Sequence, residues 1–465
     1  MIKGGTVHME QQAFSEKNDM TAGTEWKKLL LFALPIMVGQ FLQQLYNTVD
    51  GIVVGNFVSD AALGSVGACT SLAFLFLAFS IGFGNGSGIV IAQLYGAQRM
   101  GELKRAVSTA LVLLTGMGVL ALLIGYFGTH WFVTGLMNVQ GEELIRMSTT
   151  YFSIYSLGLV FQFAYNCVAS ILRAVGDSRA TLYFLCVSAV LNLVLDVLFV
   201  FHWGVAGAAV ATVISQAVCV VVCFVYMFGK YPFFRFKKGE FRFDMGQCLL
   251  CLKMGVPMTL QHCIISFGNV LMQRLVNHFG ETTMAAFTCG LRIENYCMVP
   301  ALSLNSAMSM FTGQNIGAGR LDRVERCWKG TVKLAAGITF AIATVLFVGA
   351  YPLAGLFGVE GDSLRQAVEY IRFISYLMVF FSVYQTTIGL IQGSGDALYA
   401  MFCSLITLTS RVSLAYILVF CFDFGYSVIW RTIPVGWLLG LALSLIRYRA
   451  GTWKTKLIVG DASHE

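Results

Sequence analysis

QLYGAQRMGELKRA at residues 93–106 returns as QNIGAGRLDRVERC at residues 314–327. Each copy follows the second long apolar segment of its half of the chain. Two further pairs fall in the same order: ALPIMVGQ (33–40) with GVPMTLQH (255–262), and ILRAVGDSRATLYF (171–184) with LIQGSGDALYAMF (390–402). Three ordered matches at a spacing of about 220 residues identify an internal duplication. Each copy holds six apolar segments long enough to cross a bilayer, at roughly 20 residues each. Six is even, so both halves enter the membrane in the same orientation. Parallel repeats of this kind are related by an axis along the membrane normal. The expected fold is an all-α integral membrane protein of twelve transmembrane helices, in two six-helix lobes around a central cavity.

Composition agrees with that reading. The chain has 465 residues, 57% of them hydrophobic and 12% charged, with mean hydropathy +0.73. A soluble protein carries about 25% charged residues. The expected organisation is a cytoplasmic tail at 1–25, a first lobe at 26–228, a cytoplasmic linker at 229–246, a second lobe at 247–448 and a second tail at 449–465. The 6 prolines and 48 glycines suit helices packed through small residues.

Basic residues orient the spans. One set of loops holds Arg99, Lys104, Arg105, Arg173, Arg179, Lys230, Arg235, Lys237, Lys238, Arg242, Arg320, Arg323, Arg326 and Lys329, and the tails add Lys27, Lys28, Arg447, Arg449, Lys454 and Lys456. The opposite loops hold Arg146 and Arg365 among the acids Asp60, Glu142, Glu143, Glu360 and Asp362. Both termini are therefore expected in the cytoplasm of a bacterium, with the chain in the plasma membrane. The net charge of +7 comes from this loop asymmetry and does not indicate nucleic acid. Residues 1–25 lack an apolar core, so no cleaved signal peptide is expected. The 13 cysteines lie mostly in apolar spans and read as small apolar residues. The lone CxxC at Cys248 and Cys251 has neither a second pair nor a histidine cluster beside it.

Two acids break the apolar pattern: Asp50 in FLQQLYNTVDGIVVGNF and Asp196 in FLCVSAVLNLVLDVLFVF. A carboxylate at mid-bilayer costs about 2.5–3.5 kcal/mol on insertion scales. The duplication supplies an internal control, because Asp50 falls opposite Met272, Asp196 opposite Ala415 and Asn192 opposite Arg411. Asn192 and Asp196 are four apart and share a helix face. If the first and fifth spans pack together, two carboxylates and an amide converge. Such a cluster holds a proton, because like charges raise one pKa, or Na⁺, because its oxygens are hard ligands.

In the second half, Arg292 and Glu294 sit in the eighth span, with Arg274 and Arg411 in the seventh and eleventh. Glu294 is expected to pair with Arg411 or Arg274. Gln40, Arg292, Glu294 and Arg411 are the substrate or relay candidates. GFGNGSG (82–88) lies within an apolar span and lacks a following Gly-Lys-Ser/Thr, so it reads as close helix packing or a bend and not as a phosphate loop. Pro35 and Pro257 occupy matching places in the first and seventh spans and are candidate bending points. No nucleophile–base or metal-ligand constellation indicates an enzyme.

From about residue 25 to 450 the chain resembles the multidrug and toxic compound extrusion (MATE) family. The residues that carry the resemblance are ALPIMVGQ with YNTVDGIVVG, the loops AQLYGAQR and GQNIGAGR, the loops RAVGDSR and QGSGD, and NLVLD. The resemblance implies two six-helix lobes in a V shape. It also implies efflux of organic cations, drugs or related amphiphiles, driven by H⁺ or Na⁺ entry with no cofactor. Asp50 matches the family's first-span acid, and Asn192 with Asp196 matches the Asn-x-x-x-Asp of the DinF-like branch. Thr212, in the sixth span, lies near a position that contributes to the same cation site. The NorM-like branch places acids in its seventh and tenth spans, which this chain does not. The expected partners are an amphiphilic small molecule and membrane lipid, with the protein a monomer. The alternative within the superfamily is a lipid-linked precursor flippase, which the arginines at 274, 292 and 411 would serve.

Overall fold

Long apolar runs fold as helices because, in hydrocarbon, each backbone amide must find its partner within the segment. The computed structural model describes residues 19–57, 60–137, 139–237, 239–456 and 458; the side chains of 46–57, 60–68, 70, 71 and 201 lie outside the described part. The first half contains α1 (Glu25–Phe57), α2 (Asp60–Gly96), α3 (Met100–Trp131, ending in a π turn, Phe132–Leu136), α4 (Glu142–Ala174), α5 (Ser178–Trp203) and α6 (Val205–Lys230). The second contains α7 (Met245–His278), α8 (Glu281–Gly317), α9 (Leu321–Gly355), α10 (Gly361–Ser375), α11 (Met378–Gly393), α12 (Ala397–Phe420), α13 (Val428–Arg431) and α14 (Ile433–Arg449).

α10 and α11 form one span bent by 51°, and α13 with α14 forms the last, so the helices make twelve passages as expected. Among the described residues, ten are apolar enough to cross a membrane by composition alone, and the bent pair makes eleven. The remaining passage, α8, is 37 residues long but buries Glu294, Gln314, Asn315 and several hydroxyls, which lower its hydropathy.

The duplicated Gly-Asp pairs do the same work in both halves. Gly176 (φ 89°) and Gly395 (φ 102°) adopt the left-handed turn that ends α4 and α11, a conformation that suits glycine. The next residue, Asp177 or Asp396, begins the following helix. Asp177 Oδ1 accepts the Ala180 N–H at 3.2 Å. Its Oδ2 accepts Lys230 Nζ (2.9 Å), Tyr226 OH (2.9 Å) and Tyr231 OH (2.8 Å). Asp396 Oδ2 accepts Arg447 Nε at 2.8 Å and Nη2 at 2.5 Å. Each aspartate thus ties the start of one span to the end of the span that follows it.

Two compact units emerge, and they divide the chain differently from the repeat. One is Val38–Thr259; the other joins the residues up to Met37 with Leu260 onward. α1 passes from one unit to the other two residues after Pro35, and α7 does so two residues after Pro257. The repeated loops explain how these exchanged ends are held. Within the Val38–Thr259 unit, α3 grips the approach to α7: Lys104 meets Glu240 at 2.8 Å, Ser108 Oγ donates to the Arg242 carbonyl at 2.7 Å, and the Asp244 N–H donates to Thr109 Oγ1 at 3.0 Å. The Lys104 bond, with the Lys237 N–H, holds the Glu240 carboxyl below the usual carboxylate range. Within the other unit, the end of α8 and the start of α9 grip the approach to α1. Gln314 accepts the Met20 N–H at 3.2 Å, Asn315 donates to the Met20 carbonyl at 3.2 Å, Arg323 donates to the Gly23 carbonyl at 2.9 Å, and Arg326 meets Glu25 at 3.1 Å.

The glycine run on α2 is the packing surface for the exchanged end of α7. A Cβ on Gly82 would stand 2.5 Å from Thr259 Cα, and one on Gly86 would stand 2.5 Å from the Gly255 nitrogen. Backbone atoms cannot yield as side-chain tips do. Gly82→Ala is therefore expected to lose about 1–3 kcal/mol, the usual cost of overpacking. Gly116→Ala, with nothing within 4 Å of its Cβ, is expected to be neutral or to gain up to about 1 kcal/mol of helix propensity. Thermal unfolding of the two variants in detergent checks the contrast. By the same measurement, Asp177→Ala, which strips partners from Lys230 and leaves α5 uncapped, is expected to cost about 3–5 kcal/mol. Lys230→Met is expected to cost less, because two tyrosine hydroxyls and the Ala180 amide still satisfy the carboxylate.

A polar cavity in the first half

α5 is built with its polarity inverted. Val194, Val197 and Leu198 are exposed, whereas Asn192 and Asp196 are each 3% exposed. In water the apolar side would turn inward; in a membrane helix the ionisable side faces the protein. The four-residue spacing puts Asn192 and Asp196 on that inner face. Asn192 Nδ2 donates to Thr212 Oγ1 on α6 at 3.4 Å, and Thr212 itself donates to the Ala208 carbonyl at 3.0 Å. Asn192 and Thr212 are thus in contact, and Asp196 lies one turn further along the same inner face of α5.

A cavity of about 130 Å³ opens beside them, lined by Asn192 and Ser188 of α5, Thr212 and Gln216 of α6, Gln162 and Tyr165 of α4, and Gln43 of α1. α1 and α5 pack against each other here: a Cβ on Gly39 would stand 3.4 Å from Leu185. Asp50 lies further along α1, and its side chain is outside the described part. Gln40 is half-buried on α1, but the cavity is lined by Gln43, one turn on.

Gln162 and Gln216 were not singled out from the sequence. Gln216 Nε2 donates to Gln162 Oε1 at 2.9 Å across the cavity floor. The repeat holds the signal that finds them. With Asp177 placed on Asp396, Gln162 falls opposite Phe381; with Gly204 placed on Gly425, Gln216 falls opposite Trp437. In the second half those two rings pack 5.2 Å apart. One pair of positions therefore carries an amide–amide hydrogen bond in the first half and a ring–ring contact in the second.

The second-half candidates form a different arrangement from the one expected. Glu294 is buried, and its hydrogen bond comes from the Tyr370 hydroxyl and not from an arginine. Tyr370 is held between Phe287 (5.7 Å, 6° between planes) and Trp430 (5.6 Å, 19°). This aromatic stack fixes the hydroxyl over the carboxylate. Arg411 Nε is buried with no hydrogen-bond partner among the described residues, and Arg274 and Arg292 are exposed. Among the described residues no group of three or more His, Cys, Asp or Glu gathers in a way that could hold a metal. The cavity's amide and hydroxyl oxygens, with the Asp196 carboxylate one turn beyond Asn192 on α5, suit a hard monovalent cation.

The MatE family model matches residues 35–198 and again 257–417. The chain is 28% identical to the probable multidrug resistance protein YpnP of Bacillus subtilis (strain 168), over 94% of this chain and 97% of that one. It is 21% identical to the multidrug export protein MepA of Staphylococcus aureus (strain MSSA476), over 94% and 96%. Among solved structures, a MOP superfamily transporter from Pyrococcus furiosus superposes with a TM-score of 0.87 at 24% identity, over 94% of this chain and 98% of that one. A MATE transporter in the straight conformation superposes with a TM-score of 0.87 at 23% identity, over the same shares. With the family model matched once in each repeat, the chain belongs to the MatE family of multidrug and toxic compound extrusion transporters, which are secondary transporters and not enzymes.

Proposed function

We propose that this protein is a cation-coupled antiporter that exports amphiphilic organic cations or related compounds from a bacterium, driven by entry of H⁺ or Na⁺. The observation that carries the reading is the burial of Asp196 and Asn192 beside a polar cavity in one half, where the equivalent positions of the other half are Ala415 and Arg411. Relatives across nearly the whole chain are named as multidrug resistance or export proteins, which supports the direction and the class of cargo. The basic loops support a plasma-membrane setting with both ends in the cytoplasm.

Asp50 joins the site in this reading as the acid that matches the family's first-span acid. Gly39 packs on Leu185, and α1 and α5 run the same way as first and fifth spans of one half. Thr212 and Asn192 supply neutral oxygens to the pair, as the DinF-like pattern implies. The cavity of about 130 Å³ is well below the roughly 300–1,000 Å³ of a drug-sized pocket. It suits an ion with a few waters, and it leaves the exported compound to bind elsewhere or in another state. Ion binding and cargo binding then oppose each other because each favours a different conformation.

Proteoliposomes loaded with a cationic dye, with ΔpH and ΔNa⁺ imposed separately, test this. Asp196→Asn and Asp50→Asn are each expected to reduce gradient-driven transport to the level of protein-free vesicles; full transport by both variants would falsify the coupling assignment. Thr212→Val is expected to keep transport coupled while raising the half-saturating ion concentration about two- to tenfold, the worth of one hydrogen-bonding group.

A further inference from the structure

The polar floor of the cavity is the head of a longer column. Below it, the Gln162 carbonyl accepts Asn166 Nδ2 at 3.0 Å and Ser80 Oγ at 3.3 Å, and Asn166 Nδ2 also donates to Ser80 Oγ at 2.9 Å. One turn further along α4, Ser170 Oγ donates to Asn85 Oδ1 at 3.4 Å. Arg173 Nη2 closes the series, donating to Asn85 Oδ1 at 3.2 Å and to Ser170 Oγ at 2.8 Å. Positions 162, 166, 170 and 173 form one stripe of α4, whereas Phe163, Cys167, Val168, Ile171 and Leu172 around it are buried apolar residues. From Gln162 to Arg173 the stripe runs about 16 Å at the helical rise of 1.5 Å per residue.

A structural stripe of polar residues needs no charge at its end, yet this one has a guanidinium. Arg173 is charged at every attainable pH. Among the described residues it forms no ion pair, and its Nε is buried without a hydrogen-bond partner. The residue is half-buried at the end of α4, and a partly desolvated cation without a counter-charge is held only by its neutral hydrogen-bond acceptors. The same stripe in the second half reads Phe381, Gln385, Gly389 and Gln392: it has a ring at its head, and the neutral Gln392 stands in place of the arginine. Column and charge therefore occur together, in the half that holds Asn192 and Asp196.

We propose that the column is an ion path inside the first half, leading from the cavity lined by Asn192 and Thr212 to the loop at 175–177, and that Arg173 is the fixed positive charge that keeps it closed to cations. A polar thread below a coupling carboxylate would let the ion slip through without moving cargo. An arginine at a constriction raises an electrostatic barrier to protons and cations, while the neutral amides and hydroxyls above it remain free to solvate the ion at its site. Arg173 is in this sense a positioning and gating residue that touches neither ion nor cargo. The proposal rests on the coupling reading above, and its test is arranged so that the two fail separately.

The test measures ion entry into proteoliposomes containing the whole protein and no dye or drug, with an interior pH indicator under ΔpH and an interior Na⁺ indicator under ΔNa⁺. Wild type and Arg173→Lys are expected to be tight. Arg173→Gln, which installs the second half's residue, is expected to admit one of the two ions several-fold faster than wild type. Adding Gln162→Phe, the second half's residue at the column head, is expected to return entry to the wild-type rate. A tight Arg173→Gln that still performs gradient-driven dye transport overturns the proposal, as does a leak that Gln162→Phe does not reduce. If Arg173→Gln does not fold, Asn85→Leu, which removes the acceptor that holds the guanidinium, must leak in its place. Loss of the coupling reading alone looks different: Asp196→Asn would then retain dye transport, an outcome read with dye present and Arg173 intact.

Discussion

Low-dielectric surroundings govern this structure more than any single contact does. Where a soluble helix turns its apolar stripe inward, α5 turns Asn192 and Asp196 inward and leaves Val194 and Leu198 outside. The interior is consequently where polar groups must find one another, because hydrocarbon offers none. The helix-to-helix hydrogen bonds follow from that demand: Asn192 to Thr212, Gln216 to Gln162, Asn166 to Ser80, and Tyr370 to Glu294. Each fixes the rotation of one helix against another, so the same groups that make a site possible also hold the lobe in register around it.

The duplication separates scaffold from chemistry. What the halves share proves to be joinery. Gly-Asp pairs set a turn and anchor a helix start, and the helices that meet at the repeated segments 93–106 and 314–327 hold the incoming end of an exchanged helix. What the halves do not share is where ionisable and amide groups gather. Asn192 against Arg411, Asp196 against Ala415, and the Gln162–Gln216 pair against Phe381–Trp437 all differ in polarity at positions that otherwise correspond. A duplicated chain needs both copies of its joinery in order to fold, whereas a coupling site needs to exist once.

Much of this was legible in the residues. Apolar run length gave the twelve passages, and the spacing of Asn192 and Asp196 gave the inward face. The missing parts have physical reasons. Gln162 and Gln216 are neutral amides and break no hydropathy pattern, so only a position-by-position comparison of the halves exposes them. The pairing of Glu294 depended on a tyrosine in another span, and charge alone pointed to an arginine instead. The exchange of the ends of α1 and α7 leaves no trace in span counting, because a helix reads the same whichever unit its two parts join. The prolines two residues before each exchange were visible, and the sequence suggested bending there, but not that the chain changes units at those places.

The second half carries a different charge at the equivalent point. Arg411 takes the position of Asn192 and brings a permanent positive charge into the segment where the first half offers oxygens. A cation at the equivalent point would meet a guanidinium and, at Ala415, a methyl group. The nearby acid, Glu294, is engaged by Tyr370, whose ring is clamped between Phe287 and Trp430. Moving that hydroxyl to admit an ion would mean breaking a stack of three aromatic rings. Such contacts add about 0.5–1.5 kcal/mol each beyond the area they bury. The second half is therefore stiff and electropositive at the point where the first is polar and open.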